Sequence, residues 1–313
     1  MNIVFLGSPA EVIEPLKAIM SSHHDLVAVV SQPARPAGRK RQLVDPPVAA
    51  FAKQSGIKTL QPSKASDPNF LNQFSALDCD VAITAAYGQI LTEDFLAVPT
   101  RATINIHPSL LPAYRGATPV PAALLDGLSE TGVSVLFTKK KLDAGNIICQ
   151  ESYKIPDAMK ADELTATLFE LSSTLVLDAL TKLVDQTYQG DPQDDELATY
   201  CKKILKTDGV CDWSLSAVDI ERRFKAYYPW PGCFSAFKEQ TIQFLDLKTS
   251  QENRDLSPGS FVFDKALGKI FVGTGRGTIE LATLKKAGGK PMDAPSFWNG
   301  IKNIDGPHEF KKS

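Results

Sequence analysis

Two side chains suited to proton transfer and charge stabilisation stand two residues apart, Asn105 and His107, in the stretch T-I-N-I-H-P-S-L-L-P-A-Y-R-G of residues 103–116. Apolar Ala102, Ile104 and Ile106 alternate with Thr103, Asn105 and His107. That is the period of a half-buried strand, so the amide and the imidazole leave the backbone on one face. Pro108 has no N–H for a ladder and ends the strand, which makes residues 109–112 a loop at its carboxyl end. His107 is one of only four histidines; His23 and His24 fall in a polar turn and His308 in a polar stretch. A general acid or base near neutral pH is therefore His107 or a tuned carboxylate. A carboxylate is at hand in L-D-A-G-N, where Asp143 follows the apolar run of residues 133–137. Two strand ends could bring Asn105, His107 and Asp143 into one small cavity. The plainer alternative is that the pair only ties down a loop.

The elements that must position these groups follow from the chain in order. Residues 2–6 and 26–30 read as short apolar strands separated by a helix running to about residue 21, a βαβ unit that predicts a parallel sheet. Further strands are expected at residues 58–60 and 80–85, with helices at 48–55 and 67–74. G-x-G-x-x-G is absent after the first strand, so no dinucleotide is inferred. Residues 118–126 predict a helix that tolerates Pro119 and Pro121 in its first turn. Residues 131–137 and 147–153 predict strands, and the Asp143 loop between them makes a hairpin and a mixed sheet edge. Leu164, Leu168, Leu171, Leu175 and Ala179 lie at helical spacing in an amphipathic helix over residues 161–185.

Between the second strand and the next helix lies Q-P-A-R-P-A-G-R-K-R-Q-L-V-D-P-P, residues 32–47. Four prolines and a glycine predict an irregular exposed loop, either a solvated surface feature or a contact for phosphates through Arg35, Arg39, Lys40 and Arg41. The acidic run Q-G-D-P-Q-D-D-E reads as the start of a linker. Beyond it, a helix over residues 216–227 with Ser216 as N-cap precedes five short strands, at 233–237, 242–247, 259–262, 269–273 and 278–284, which predict a small barrel. G-T-G-R-G between the last two reads as a hairpin turn. From residue 208 onward Lys and Arg number 15 against 13 Asp and Glu, which makes this part slightly basic on a chain of net charge −2.

Five scattered cysteines without a C-x-x-C pair fit free thiols in a reducing compartment, and no zinc pattern is present. The start M-N-I-V-F-L-G lacks signal-peptide features, and no run of 18 apolar residues predicts a membrane span.

N-I-H-P-S-L-L-P with L-D-A-G downstream resembles the formyltransferases that use 10-formyltetrahydrofolate. The resemblance implies that Asn105, His107 and Asp143 are the catalytic trio and that Ser109, Leu110, Leu111 and Pro112 line the folate site. A-Y-G-Q-I-L is similar to the family segment beside the pteridine, which implies Tyr87, Gly88, Gln89 and Ile90 as pocket lining, against the plainer expectation of a turn with Tyr87 in the core. R-P-A-G-R is similar to the loop of methionyl-tRNA formyltransferases that enters the tRNA acceptor end; this implies Arg39 and Arg41, supported by Arg35 and Lys40, as tRNA contacts. Asp212-Trp213-Ser214, Ala217 and Tyr228-Pro229-Trp230-Pro231 resemble the two-domain members, with Lys225 where arginine is usual. One departure is Lys139-Lys140-Lys141, where many relatives carry an acidic-plus-glycine segment.

The implied fold is α/β: a Rossmann-like formyltransferase domain with a mostly parallel sheet (1–188), a linker (189–207) and a C-terminal OB-like β-barrel that binds tRNA (208–313). The implied reaction moves a formyl group from 10-formyltetrahydrofolate to the α-amine of initiator methionyl-tRNA, without a metal, in the cytoplasm, by a monomer with no membrane partner. Asn105 and protonated His107 would bond the tetrahedral oxyanion, donors typically worth roughly 3–4 kcal/mol each. Asp143 would take the amine proton, directly or through water. Two alternatives stay open: a small-molecule amine as acceptor (a nucleotide sugar or purine precursor), or a non-catalytic RNA-binding protein on the same fold.

Overall fold

The computed structural model describes residues 1–38, 41–301, 303 and 308–311. Two compact units emerge, one of Met1–Pro119, Ser129–Pro156 and Glu163–Lys202, the other of Val120–Leu128, Asp157–Asp162 and Lys203–Ser313.

In chain order, β1 (Asn2–Gly7), α1 (Ile13–Met20) and β2 (Asp25–Val30) make the opening βαβ unit, with β1 and β2 parallel. Next comes a departure from expectation. Residues 32–47 were expected to be irregular, but β3 (Arg35–Ala37) and β4 (Gln42–Val44) pair as an antiparallel hairpin. Gly38 at φ 68° and Arg41 at φ 49° supply the left-handed backbone of its turn. Pro36 is tolerated because a two-stranded ribbon has a free outer side that needs no donor.

The chain continues through α2 (Pro47–Gln54) and β5 (Thr59–Leu60) to α3 (Pro68–Ser75), where Asp67 caps the helix by accepting from the Asn69 and Phe70 amides. Then follow β6 (Val81–Ala85), α4 (Glu93–Leu96), β7 (Ala102–His107), β8 (Arg115–Gly116), α5 (Pro119–Leu125), β9 (Glu130–Phe137), β10 (Ile147–Lys154), α6 (Ala161–Lys182) and β11 (Tyr200–Cys201).

The main sheet runs β10-β9-β7-β6-β1-β2-β5. Its five strands from β7 to β5 are parallel, while β9 and β10 are antiparallel, joined by a hairpin connection rather than a helix. The parallel strands are buried on both faces, so residues alternate between two cores. Ile3 and Phe5 join Ile83, Ile104 and Ile106 on one side, and Val4 and Leu6 join Phe70, Phe74 and Phe95 on the other. With Ile104 and Ile106 in the first core, Thr103, Asn105 and His107 face the other way. By length and composition α6 is apolar enough to cross a membrane. Its Phe169, Leu175, Val176, Ala179 and Leu180 are packed in the first core.

The second unit holds α7 (Ala217–Ala226), capped by Ser216, then β12 (Cys233–Phe237), β13 (Gln240–Thr249), β14 (Phe261–Asp264), β15 (Lys269–Gly273), β16 (Thr278–Lys286), β17 (Pro291–Asp293) and α8 (Ala294–Asn299). The antiparallel order is β12-β13-β16-β15-β14, with β17 added to β16. Lys311 bridges to Ala236 on one outer strand, and Glu309 bridges to Ser260 beside the other. One short segment thus joins both edges of the sheet, as a barrel requires. Phe237, Phe244, Phe261, Phe297 and Phe310 fill the interior with Trp213, whose indole N–H donates to Ser235 Oγ at 3.0 Å.

Candidate active site

At the carboxyl end of β7 the side chains at 105 and 107 meet a third group. Asn105 lies opposite Thr84 of the parallel neighbour β6 and opposite Leu136 of the antiparallel neighbour β9. The Thr84 hydroxyl lies 2.7 Å from Asn105 Oδ1 and donates to it. The other end of the amide, Nδ2, donates to Asp143 Oδ1 at 3.4 Å. The reverse orientation would set the amide oxygen against a carboxylate, so the chemistry of the partners settles the amide.

His107 is 5% exposed and Asp143 10% exposed at the side chain. His107 Nε2 sits 2.9 Å from the Tyr114 carbonyl. A carbonyl only accepts, so Nε2 carries a proton. The other ring nitrogen, Nδ1, faces Asp143 Oδ2 at 3.8 Å, too far for a direct hydrogen bond. That carboxylate oxygen also takes the Gly116 backbone N–H at 2.8 Å. Asp143 holds this pose at φ 49°, a strained value for a non-glycine residue. Asn105, His107 and Asp143 therefore come together. Among the described residues, no group of three or more His, Cys, Asp or Glu side chains is placed to hold a metal ion.

The loop of residues 109–112 is pinned by β9 and β10. Ser134 Oγ donates to the Ser109 carbonyl at 2.6 Å and accepts the Leu111 N–H at 3.2 Å. Gln150 Nε2 donates to Ser134 Oγ at 2.7 Å and to the Leu111 carbonyl at 2.9 Å. The Leu111–Pro112 bond is cis. Ser109 and Leu111 are buried, and the Ser109 hydroxyl donates to the Ala113 carbonyl, whereas Leu110 and Pro112 are half-buried.

The segment after β6 is divided. Tyr87 turns its ring into the second core, where burial pushes its hydroxyl up to about 12. The Gln89 side chain is spent on the backbone, accepting from Ala65 N at 2.6 Å and donating to the Pro62 carbonyl at 3.2 Å. Only Gly88 and Ile90 of the four expected lining residues are exposed, Ile90 at 90%. Of the basic residues, Arg35 and Arg41 lie exposed on the β3–β4 hairpin beside Leu43 and Val44, and Arg39 and Lys40 lie outside the described residues.

Several residues at the site escaped sequence reasoning. The strongest is Arg115, which is fully buried. It donates to Gln193 Oε1 through Nε (3.1 Å) and Nη2 (2.8 Å), and through Nη1 to Asp195 (2.7 Å) and the Tyr200 hydroxyl (3.2 Å). Burial works against its charge, but Asp195 and Tyr200 outweigh it and raise the guanidinium above its ordinary value. The strap of residues 189–201, expected as linker, belongs to the first unit. β11 pairs in parallel with β8, and Thr199 receives the Tyr114 N–H on Oγ1 and the Arg115 N–H on its carbonyl. Nothing in the sequence marks the arginine of Y-R-G as buried, and a lone Gln193 in an acidic run gives no sign that it is the acceptor a buried guanidinium demands. The lysine run finds partners nearby: Lys139 donates to Asn146, Lys140 pairs with Glu93 at 3.2 Å, and Lys141 pairs with Asp195. Those contacts tie the Asp143 loop to its neighbours.

A cavity of about 410 Å³ lies elsewhere, lined by Thr103, Thr138 and Gln189 among others, at the amino-terminal end of β7 rather than at His107.

Comparison with known proteins matches residues 1–180 to the family model described as formyl transferase and residues 203–302 to that described as formyl transferase, C-terminal domain. A methionyl-tRNA formyltransferase of Chloroflexus aurantiacus is 37% identical over 301 residues, covering 96% of this chain and 97% of that protein. One of Herpetosiphon aurantiacus is 38% identical, covering 97% and 99%. Among solved structures, a tetrahydrofolic acid complex of HypX from Aquifex aeolicus superposes with a TM-score of 0.65 at 13% identity, covering 97% of this chain and 48% of that longer one. A sugar 3N-formyl transferase, WlaRD, superposes at 0.66 with 16% identity, covering 90% and 97%. These two likenesses concern the fold.

Proposed function

Because the chain belongs to the methionyl-tRNA formyltransferase family, we propose that it transfers a formyl group from 10-formyltetrahydrofolate to the α-amino group of methionine esterified to initiator tRNA. The observation that carries the reading is the convergence of Asn105, His107 and Asp143 at one strand end, on a chain alike in both domains to relatives of that name.

The neutral amine attacks the formyl carbon, and the carbonyl electrons move to oxygen to give a tetrahedral oxyanion. Asn105 Nδ2, its oxygen end anchored on Thr84, is the preset donor for that charge. His107 keeps its Nε2 proton on Tyr114, so a proton on Nδ1 is the one it can offer to the oxyanion or to the departing folate N10. Asp143 takes the proton that the amine loses, directly or through water. Collapse of the oxyanion breaks the bond to N10, which takes the His107 Nδ1 proton, and leaves formyl-methionyl-tRNA and tetrahydrofolate; the proton that the amine gave to Asp143 passes back to His107 Nδ1. The half-buried Leu110 and Pro112, with exposed Gly88 and Ile90, suit the folate; Tyr87 and Gln89 serve it only through the backbone they hold. The basic hairpin suits tRNA phosphates. These substrates assign the work to translation initiation in the cytoplasm.

The test is formylation of charged initiator methionyl-tRNA by the purified protein with 10-formyltetrahydrofolate. Appearance of formyl-methionine on the tRNA supports the reading. Folate binding without formylated tRNA would overturn it and move the acceptor to a small-molecule amine.

A further inference from the structure

The side chain of Gln193 joins two parts of the site, the buried Arg115 and the backbone of the Asp143 loop. On one side its Oε1 accepts two hydrogen bonds from the buried Arg115, at 2.8 and 3.1 Å. On the other its Nε2 donates to the Asp143 carbonyl at 2.8 Å and the Gly145 carbonyl at 2.7 Å. A guanidinium has only donors, so Arg115 forces the amide oxygen toward itself and aims the NH2 at the Asp143 loop. All four bonds of the amide are used, and its orientation is unique.

The loop needs such a clip. Asp143 sits at φ 49°, and Gly145 is pressed so closely on β9 that a Cβ there would fall 1.6 Å from the Phe137 carbonyl oxygen. Arg115 is also the residue before Gly116, whose N–H holds the Asp143 carboxylate. The same network therefore sets both the backbone and the carboxylate of Asp143. The geometry points to Gln193 as a positioning residue for the transfer reaction, acting through Asp143 and touching neither substrate. This inference rests on the proposed function.

The primary variant is Gln193→Glu. It keeps the one oxygen that accepts both hydrogen bonds from Arg115 but sets a second carboxylate oxygen against two carbonyls, which releases the loop while leaving the buried cation satisfied. Gln193→Ala is the second variant, should the first fail to fold. Two measurements are made on each full-length protein: hydrogen exchange of the peptide covering residues 142–147, which does not depend on any substrate, and steady-state transfer. Expected are faster exchange confined to that peptide and a fall in kcat of about 10- to 100-fold, with KM for folate and for tRNA within about twofold. Unchanged exchange overturns the clip. Faster exchange with kcat kept overturns its importance to the reaction, and a rise in KM with kcat kept would make the residue a binding element instead. Failure of the wild-type protein to formylate methionyl-tRNA counts against the proposed function, while the exchange result still decides the clip.

Discussion

Thr84 and Asn105, neighbours across two parallel strands, share a 2.7 Å hydrogen bond in which the hydroxyl donates to the amide oxygen. The bond is nine-tenths hidden from solvent at Thr84 and turns the Asn105 NH2 toward Asp143. Thr84→Val keeps the shape and deletes the donor. The amide then loses a bond of about 1 kcal/mol that fixes its direction, and kcat is expected to fall by about 5-fold, with Thr84→Ser near wild type. Equal rates for the valine and serine variants in single-turnover assays would count against the anchoring role.

Asn105→Ala removes the donor itself. Loss of one preset oxyanion donor typically costs about 10²- to 10³-fold in kcat. The expected result is that fall with folate affinity retained; a turnover within a few-fold of wild type would sink the assignment.

Gly116 carries φ 120°, and a Cβ there would meet the Cys201 carbonyl oxygen at 2.4 Å. Gly116→Ala must move either the strap or the N–H that holds Asp143. A stability loss of about 1–3 kcal/mol is expected in urea titration, with activity falling further than stability explains. A variant as stable and active as wild type would show that the close approach is not needed.

The basic hairpin makes a different kind of prediction. If Arg35 and Arg41 contact phosphates, Arg35→Ala/Arg41→Ala should weaken tRNA binding and lower the slope of log K against log salt by about 1–2. Binding to folate should stay as it was. An unchanged salt slope would remove these residues from the tRNA surface.

Asp195 is exposed, and its hydrogen bonds from Lys141 and then Arg115 lower its carboxyl below the ordinary 3.8. A folded value below the unfolded one contributes stability that is fully present above 3.8 and is lost as pH falls through the lowered value. Wild type should therefore exceed Asp195→Asn in urea midpoint at neutral pH, and the gap should close in acid. A gap that does not change with pH would contradict the pairing.

Much of this arrangement was legible in the residues. Alternation from Ala102 to His107 placed Asn105 and His107 on one strand face, and the apolar runs on either side of Asp143 announced the hairpin that carries it. Ser216 as a cap and the strands Cys233–Phe237 and Lys269–Gly273 were legible for the same reason, since capping and period are local signals. Local signals could not show where side chains go when the backbone turns. Ala86 at φ 45° redirects the chain after β6, which sends Tyr87 inward and leaves Ile90 outside. The β3–β4 pairing was hidden because prolines mask its period and the turn at Gly38 sets its register. The strap was hidden most thoroughly. Its polar composition is that of a free linker, and its order comes from partners some eighty positions earlier, such as Arg115 with Asp195.

Cys201 shows what that order means for the chemistry of the chain. Its thiol receives the Thr118 N–H at 3.3 Å and lies 3.3 Å from the Arg115 carbonyl oxygen, and burial, helped by the nearby Asp143 carboxylate, pushes it above its ordinary value. Cys79 is pushed higher, to about 12, and Cys149 to about 11, while Cys211 and Cys233 are sealed in the second unit. An alkylating reagent needs thiolate and access, and the half-buried Cys201 gains more of both when residues 189–201 lift from β8. The chain thus contains its own gauge: the labelling rate of Cys201, followed with and without substrates, rises as the strap loosens and falls as it tightens.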